Sequence, residues 1–195
     1  MSRSTVVWTL PNCLSLFRIL IIPVLVWLLT YPDPISGLWA ALLFVLASVT
    51  DYFDGYLARR NRSVSSLGKI LDPLADKLMV ASALIMLAAL DRPGEPSVPS
   101  WLVVAIIARE TAVTVIRGIA LTEGIVMQAE QLGKYKFILQ AFALVGLLIH
   151  YEYWGVDFFA AGLYFLVLAT VIAFWSGVNY HVQFFRLLQT RTSQA

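Results

Sequence analysis

The sequence predicts an all-α integral membrane protein with six transmembrane helices. Three observations point there. Of 195 residues, 59% are hydrophobic and only 13% are charged, against about 25% charged in soluble domains. The apolar residues gather into six runs, each about long enough to cross a ~30 Å hydrocarbon layer, with short polar or Pro/Gly-rich segments between them. Lys and Arg are distributed asymmetrically. With the N-terminus in the cytoplasm, segments 31–36, 91–99 and 151–157 face outward; they hold one of the 14 Lys and Arg, Arg92, but five of the 12 acids, namely Asp33, Asp91, Glu95, Glu152 and Asp157. Positive charge stays inside in such proteins, so both termini and the 59–69 and 122–136 segments are expected in the cytoplasm.

Taken in order, residues 1–13 read as an interfacial lead, with Trp8 at headgroup level. The first span covers about 14–30, with Pro23 expected to kink it. Tyr31-Pro32-Asp33-Pro34 is a turn. The second span runs over about 37–59 and the third over about 73–90, with Gly68 just before it; a proline-rich loop, 91–99, follows. The fourth span, about 101–121, contains Arg109, Glu110 and Arg117; the fifth is about 134–150, an aromatic loop fills 151–157, and the sixth is about 158–180 with helix continuing toward Leu188. No internal repeat divides the chain, which reads as one membrane domain. Arg3 alone is a thin start for a signal peptide and no small-residue cleavage site follows, so the first span is expected to be retained. One cysteine, Cys13, excludes an internal disulfide framework, and no run of basic residues suggests nucleic acid.

The chemistry concentrates between residues 51 and 76. Asp51 and Asp54 are three residues apart and Asp72 and Asp76 four apart, so on helices each pair shares a face. Carboxylates at membrane depth are costly and point to function. Four together repel unless a counter-charge is present, and an all-oxygen donor set suits Mg2+ or Mn2+, in one or two ions. With Cys13 the only cysteine and both histidines far away, zinc does not fit. Asp72 before Pro73 also reads as a helix N-cap with proline at the first helical position. Carboxylates serving a cation channel or transporter are the remote alternative; that function spreads acids over many depths, whereas these gather at two helix ends.

The pattern D-x2-D-G-x2-A-R-x8-G-x3-D-x3-D is filled by Asp51, Asp54, Gly55, Ala58, Arg59, Gly68, Asp72 and Asp76. With this signature the chain resembles the CDP-alcohol phosphotransferase family. The resemblance implies that fold and a homodimer. It implies that Asp51, Asp54, Asp72 and Asp76 hold two divalent ions and that Asp76 also takes the proton from the attacking hydroxyl. It further implies that Gly55, Ala58, Arg59, Ser65, Gly68 and Asn12 contact the CDP-lipid. The opening L-P-N-C-L-S-L-F-R and the later I-I-A-R-E-T-A-V-T-V-I-R-G-I-A and L-G-K-Y-K-F-I-L-Q are similar to the phosphatidylglycerophosphate synthase branch, although Lys134-Tyr135-Lys136-Phe137 stands where Lys-hydrophobic-Lys-Thr is usual.

In that branch the acceptor is glycerol 3-phosphate and the donor CDP-diacylglycerol. Arg109, Arg117, Lys134 and Lys136 are the candidate cradle for the acceptor's phosphate; Glu110 as an ion-pair partner for the arginines, and a cytoplasmic anchoring role for the lysines, are the plainer readings. Inositol phosphate, or phosphatidylglycerol as in a cardiolipin synthase, are the alternative acceptors. The expected location is the cytoplasmic membrane, with the acids opening to the cytoplasm.

Overall fold

The computed structural model describes residues 10–60, 68–90, 92, 94–123 and 131–192. Among the described residues there are six helices: α1 Leu10–Leu28, α2 Pro34–Arg60, α3 Gly68–Ala89, α4 Ser100–Thr122, α5 Gln131–Ile149 and α6 Phe158–Thr192. α1 continues through Pro23, which lies on its exposed side. α3 begins at Gly68, so Asp72 and Pro73 lie inside the helix and Asp72 is not its N-cap. The aromatic loop before α6 is a small antiparallel hairpin, β1 Glu152–Tyr153 paired with β2 Val156–Asp157. Its two turn residues, Trp154 and Gly155, both have positive φ, 53° and 74°, as a two-residue turn matched to strand twist requires.

Local chemistry fixes several ends. Asp33 Oδ1 accepts the backbone N–H groups of Ile35 and Ser36, both at 3.0 Å, capping α2 just before Pro34. The Ser36 bond holds the Asp33 carboxyl below the usual carboxylate range. Asp157 Oδ1 accepts from Ala160 N–H at 2.9 Å at the start of α6. α5 ends on His150, in the left-handed region at φ 67°, with its N–H on Gly146 O at 2.9 Å. That is the usual way for a helix to stop, here without glycine.

α1 packs on both α2 and α3, and α5 lies against α2, α3 and α6. α1 and α5 thus each pack on both α2 and α3. The core is a leucine-rich seam that includes Leu25, Leu29, Leu84, Leu102, Leu144, Leu147 and Leu166. α5 and α6 approach until their backbones touch. A Cβ at Gly162 would lie 2.7 Å from Leu147 N, and one at Gly146 2.9 Å from the Gly162 Cα. Such small-residue contacts are how helices pack closely where water supplies no driving force between them. The outward surface is apolar: Trp27, Leu42, Leu46, Phe142, Tyr164, Val171 and Trp175 are exposed. Among the described residues one helix, Phe158–Gln189, is both long and apolar enough to cross a membrane, and shorter apolar stretches occupy Cys13–Leu28, Pro34–Thr50 and Tyr135–Ile149.

Candidate active site

A cavity of about 330 Å3 opens among α2, α3, α4 and α5, within the size range of small-molecule sites. Its walls are mostly apolar, with Phe44, Leu84 and Leu144 among them, and its polar side chains are Ser48, Asp76, Lys77, Glu110, Thr111, Lys136 and Gln140. Each polar group arrives from a helix that is otherwise apolar, so the charges converge because the helices do.

α3 supplies Asp72 and Asp76, one turn apart and both half-buried. Asp76 lines the cavity. Asp72 turns toward α1, where the fully buried Ser15 donates its hydroxyl to Asp72 Oδ1. α2 turns Phe44 and Ser48 to the cavity. The side chains of Asp51, Asp54, Ala58 and Arg59 lie outside the described residues, as does that of Asn12. Ser65 lies outside them altogether. Gly68 is the first residue of α3 rather than a loop glycine before it. Among the described residues no three His, Cys, Asp or Glu side chains converge.

Of the four cations expected around the acceptor, Arg109 and Lys136 meet at Glu110 and Arg117 stands apart from them. Arg109 is committed elsewhere: its Nε donates to Ala173 O on α6 at 2.8 Å and its Nη1 to Glu110 Oε1 at 2.8 Å. Its side chain is 9% exposed. Arg117 is exposed and stands over the Tyr180 ring of α6, 5.7 Å from its centroid. Eight helical residues beyond Arg109, it follows the α4–α6 seam and does not line the cavity. The Lys134 side chain lies outside the described residues. Among the described side chains of the four, Lys136 faces the cavity, with its Nζ donating to Glu110 Oε1.

Two residues missed in the sequence complete this wall. Lys77 lines the cavity beside Asp76, with its Nζ 3.9 Å from Glu110 Oε2. Glu110, expected only as a partner for the arginines, is the point where Lys77, Arg109 and Lys136 meet. The signal for Lys77 was present, as an ammonium one residue after a signature aspartate in an apolar run, but nothing local says which way it points.

Comparison with known proteins gives the chain's relatives. The CDP-alcohol phosphatidyltransferase family matches residues 8–177. The chain is 38% identical to the CDP-diacylglycerol–glycerol-3-phosphate 3-phosphatidyltransferase of Bacillus subtilis, over 86% of this chain and 92% of that protein. It is also 38% identical to the protein of the same name from Rickettsia typhi, covering 88% and 94%. The cardiolipin synthase (CMP-forming) of Streptomyces coelicolor is 37% identical, covering 94% of this chain and 86% of that one.

Proposed function

This chain belongs to the CDP-alcohol phosphatidyltransferase family, and from that premise we propose that it transfers the phosphatidyl group of CDP-diacylglycerol to glycerol 3-phosphate, giving phosphatidylglycerol phosphate and CMP. The observation that carries this reading is the pairing, in one cavity, of a signature carboxylate, Asp76, with two ammonium groups, Lys77 and Lys136. A base for a hydroxyl and cations for an anionic acceptor are what the reaction asks of the protein. Relatives bearing this activity's name at 38% identity support the same acceptor.

The acceptor's hydroxyl oxygen attacks the lipid-side phosphorus as the bond from that phosphorus to the CMP oxygen breaks. The hydroxyl proton passes to Asp76, and CMP leaves with the electron pair of the broken bond. Lys77 and Lys136 hold the acceptor's phosphate, so its hydroxyl is presented to the phosphorus rather than diffusing to it. Arg59, in the same signature, has the planar fork of donors suited to a nucleotide phosphate. The apolar walls of the cavity keep water from competing with the acceptor.

The donor set fits a hard divalent ion. Asp72 and Asp76 offer only oxygen, one turn apart on α3, and positions 51 and 54 are one turn apart on α2. Asp51, Asp54, Asp72 and Asp76 would hold Mg2+ or Mn2+, as two ions. When bound, such ions neutralise pyrophosphate charge and orient the group to be transferred.

The six helices are proposed to span the cytoplasmic membrane with the site toward the cytoplasm, as the Lys and Arg asymmetry and the apolar outer surface support, and the protein is proposed to work as a homodimer. A second reading keeps the chemistry and takes phosphatidylglycerol as acceptor; the Streptomyces relative's name favours it. An acceptor screen decides. Purified protein is supplied with CDP-diacylglycerol, Mg2+ and, in turn, glycerol 3-phosphate, inositol phosphate, phosphatidylglycerol or serine, and CMP is measured. Release with glycerol 3-phosphate alone is expected. Release only with phosphatidylglycerol moves the protein to the second reading, and release with none ends both.

A further inference from the structure

We propose that Glu110 is a positioning residue for the acceptor: its carboxylate holds Lys136 and Lys77 on the cavity wall so that both ammonium groups face one phosphate. This deepens the acceptor reading above and rests on it.

Glu110 is central in geometry. Its Oε1 receives Lys136 Nζ from α5 and Arg109 Nη1 from its own helix, and its Oε2 faces Lys77 Nζ from α3 at 3.9 Å. Arg109 is fixed in turn by Ala173 O of α6, so the carboxylate is braced from behind by a group that does not reach the cavity. Exposure falls into the same order. The side chains of Arg109 and Lys136 are 9% and 10% exposed, that of Glu110 21%, and that of Lys77 36%. Lys77 is thus the cation with the loosest partner and the most open side, and it follows Asp76 in sequence. A long ammonium stem has many rotamers, and fixing it before the ligand arrives removes an ordering cost from binding.

The charges also match a class of ligand. Three cations against one carboxylate leave two positive charges, and a phosphate monoester carries about −1.5 to −2 near neutrality. A phosphodiester, with one negative charge, leaves one of the two unanswered. Asp76 faces the reacting hydroxyl and is not part of this balance. Glu110 therefore places the ammonium groups, while Arg109 behind it offsets its charge and leaves theirs to match a monoester.

The test is steady-state kinetics of the purified full-length protein, with CMP release titrated separately against glycerol 3-phosphate and CDP-diacylglycerol. Glu110→Gln should raise the KM for glycerol 3-phosphate at least about tenfold and leave that for CDP-diacylglycerol within about twofold. Glu110→Asp, which keeps the charge, should recover part of the loss. Lys136→Gln should give a similar shift. The double variant Glu110→Gln/Lys136→Gln should be no worse than the poorer single, because the two act through one contact. Equal rises in both KM values, or effects that multiply in the double variant, overturn the proposal. Should Glu110→Gln fail to fold, the double variant and Glu110→Asp decide: the double removes the stranded ammonium with the carboxylate, and an unshifted acceptor KM in both overturns it. A wild-type protein that releases no CMP with any acceptor defeats the proposed function. Wild-type turnover with an unshifted KM in Glu110→Gln defeats only the role of Glu110.

Discussion

Charged groups gather in two places in this molecule, and they behave differently. At the end where the 29–33, 90–99 and 150–157 segments meet, Arg92 lies buried with its guanidinium 5.5 Å from the Tyr151 ring centroid. His150 pairs with Glu95 at 2.9 Å, and Tyr151 donates to Pro32 O at 3.2 Å. These groups bind one another and tie three connections together. Around Glu110 the ions instead line an open cavity, and Lys77 keeps a third of its side-chain surface exposed. Groups that pair with one another across connections hold a fold; charges that meet on a cavity wall are available to a ligand. Both sets would read alike from composition.

Four experiments press on that contrast, in falling order of effect. Asp76→Asn should cut CMP release by about 10²–10⁴-fold, the range for loss of a proton acceptor, while the protein purifies as a folded species. EDTA should silence the wild type, with Mg2+ or Mn2+ restoring it. Retained activity in Asp76→Asn would take the reaction away from this cavity.

Next is the α5–α6 contact. Gly162→Ala sets a methyl group 2.7 Å from Leu147 N, and overpacking of this kind costs about 1–3 kcal/mol. At this chain length that is about 2–4 °C of Tm per kcal/mol, readable by thermal unfolding in detergent. A Tm equal to wild type would show that the two helices have room to part.

The loop cluster gives a pH test. Burial, then the neighbouring Arg92 charge, pushes the His150 pKa below the ordinary histidine value, outweighing the pull of Glu95 toward the charged form. The folded state therefore favours neutral His150. The stability this contributes is fully present above the ordinary value, about 6.5, and is lost as pH falls through the lowered one. Tm should drop between pH 7 and pH 5, and His150→Gln should flatten that slope. A slope unchanged in the variant would assign the acid sensitivity to other groups.

The smallest effect is expected for Arg117→Ala. Its contact with Tyr180 is an exposed cation–π pair of about 0.5–1 kcal/mol, so the acceptor KM should move by no more than about fivefold. A tenfold rise would return Arg117 to the acceptor site.

Much of this was legible beforehand, and the exceptions share a cause. Helices α4 and α6 announce themselves as long apolar runs, and the signature aspartates by their i, i+3 and i, i+4 spacing. The hairpin was hidden because Tyr153-Trp154-Gly155-Val156 is too short for a period to show, although Trp-Gly between two β-formers is a turn signal. The start of α3 was set too late because Pro73 looks like a first residue, whereas the helix tolerates it after Asp72. Among the acceptor cations, sequence supplied the charges and the Arg109–Glu110 pair, but not the partners on other helices. Arg109 finds Ala173 across 64 residues, and Lys136 finds Glu110 across 26. Which arginine faces a neighbouring helix and which lysine faces a void is decided by tertiary packing, and no local pattern records it.

The bare seam at Gly146 and Gly162 has a mechanical consequence. With main chain resting on main chain, α5 and α6 have no side-chain cushion to slide on and must travel as one plate. Lys136 and, through Ala173, Arg109 are bolted to that plate. Any widening of the entrance therefore falls to α2 or α3, so Lys136, Glu110 and Arg109 keep their places while Asp76 and Lys77 move together on α3.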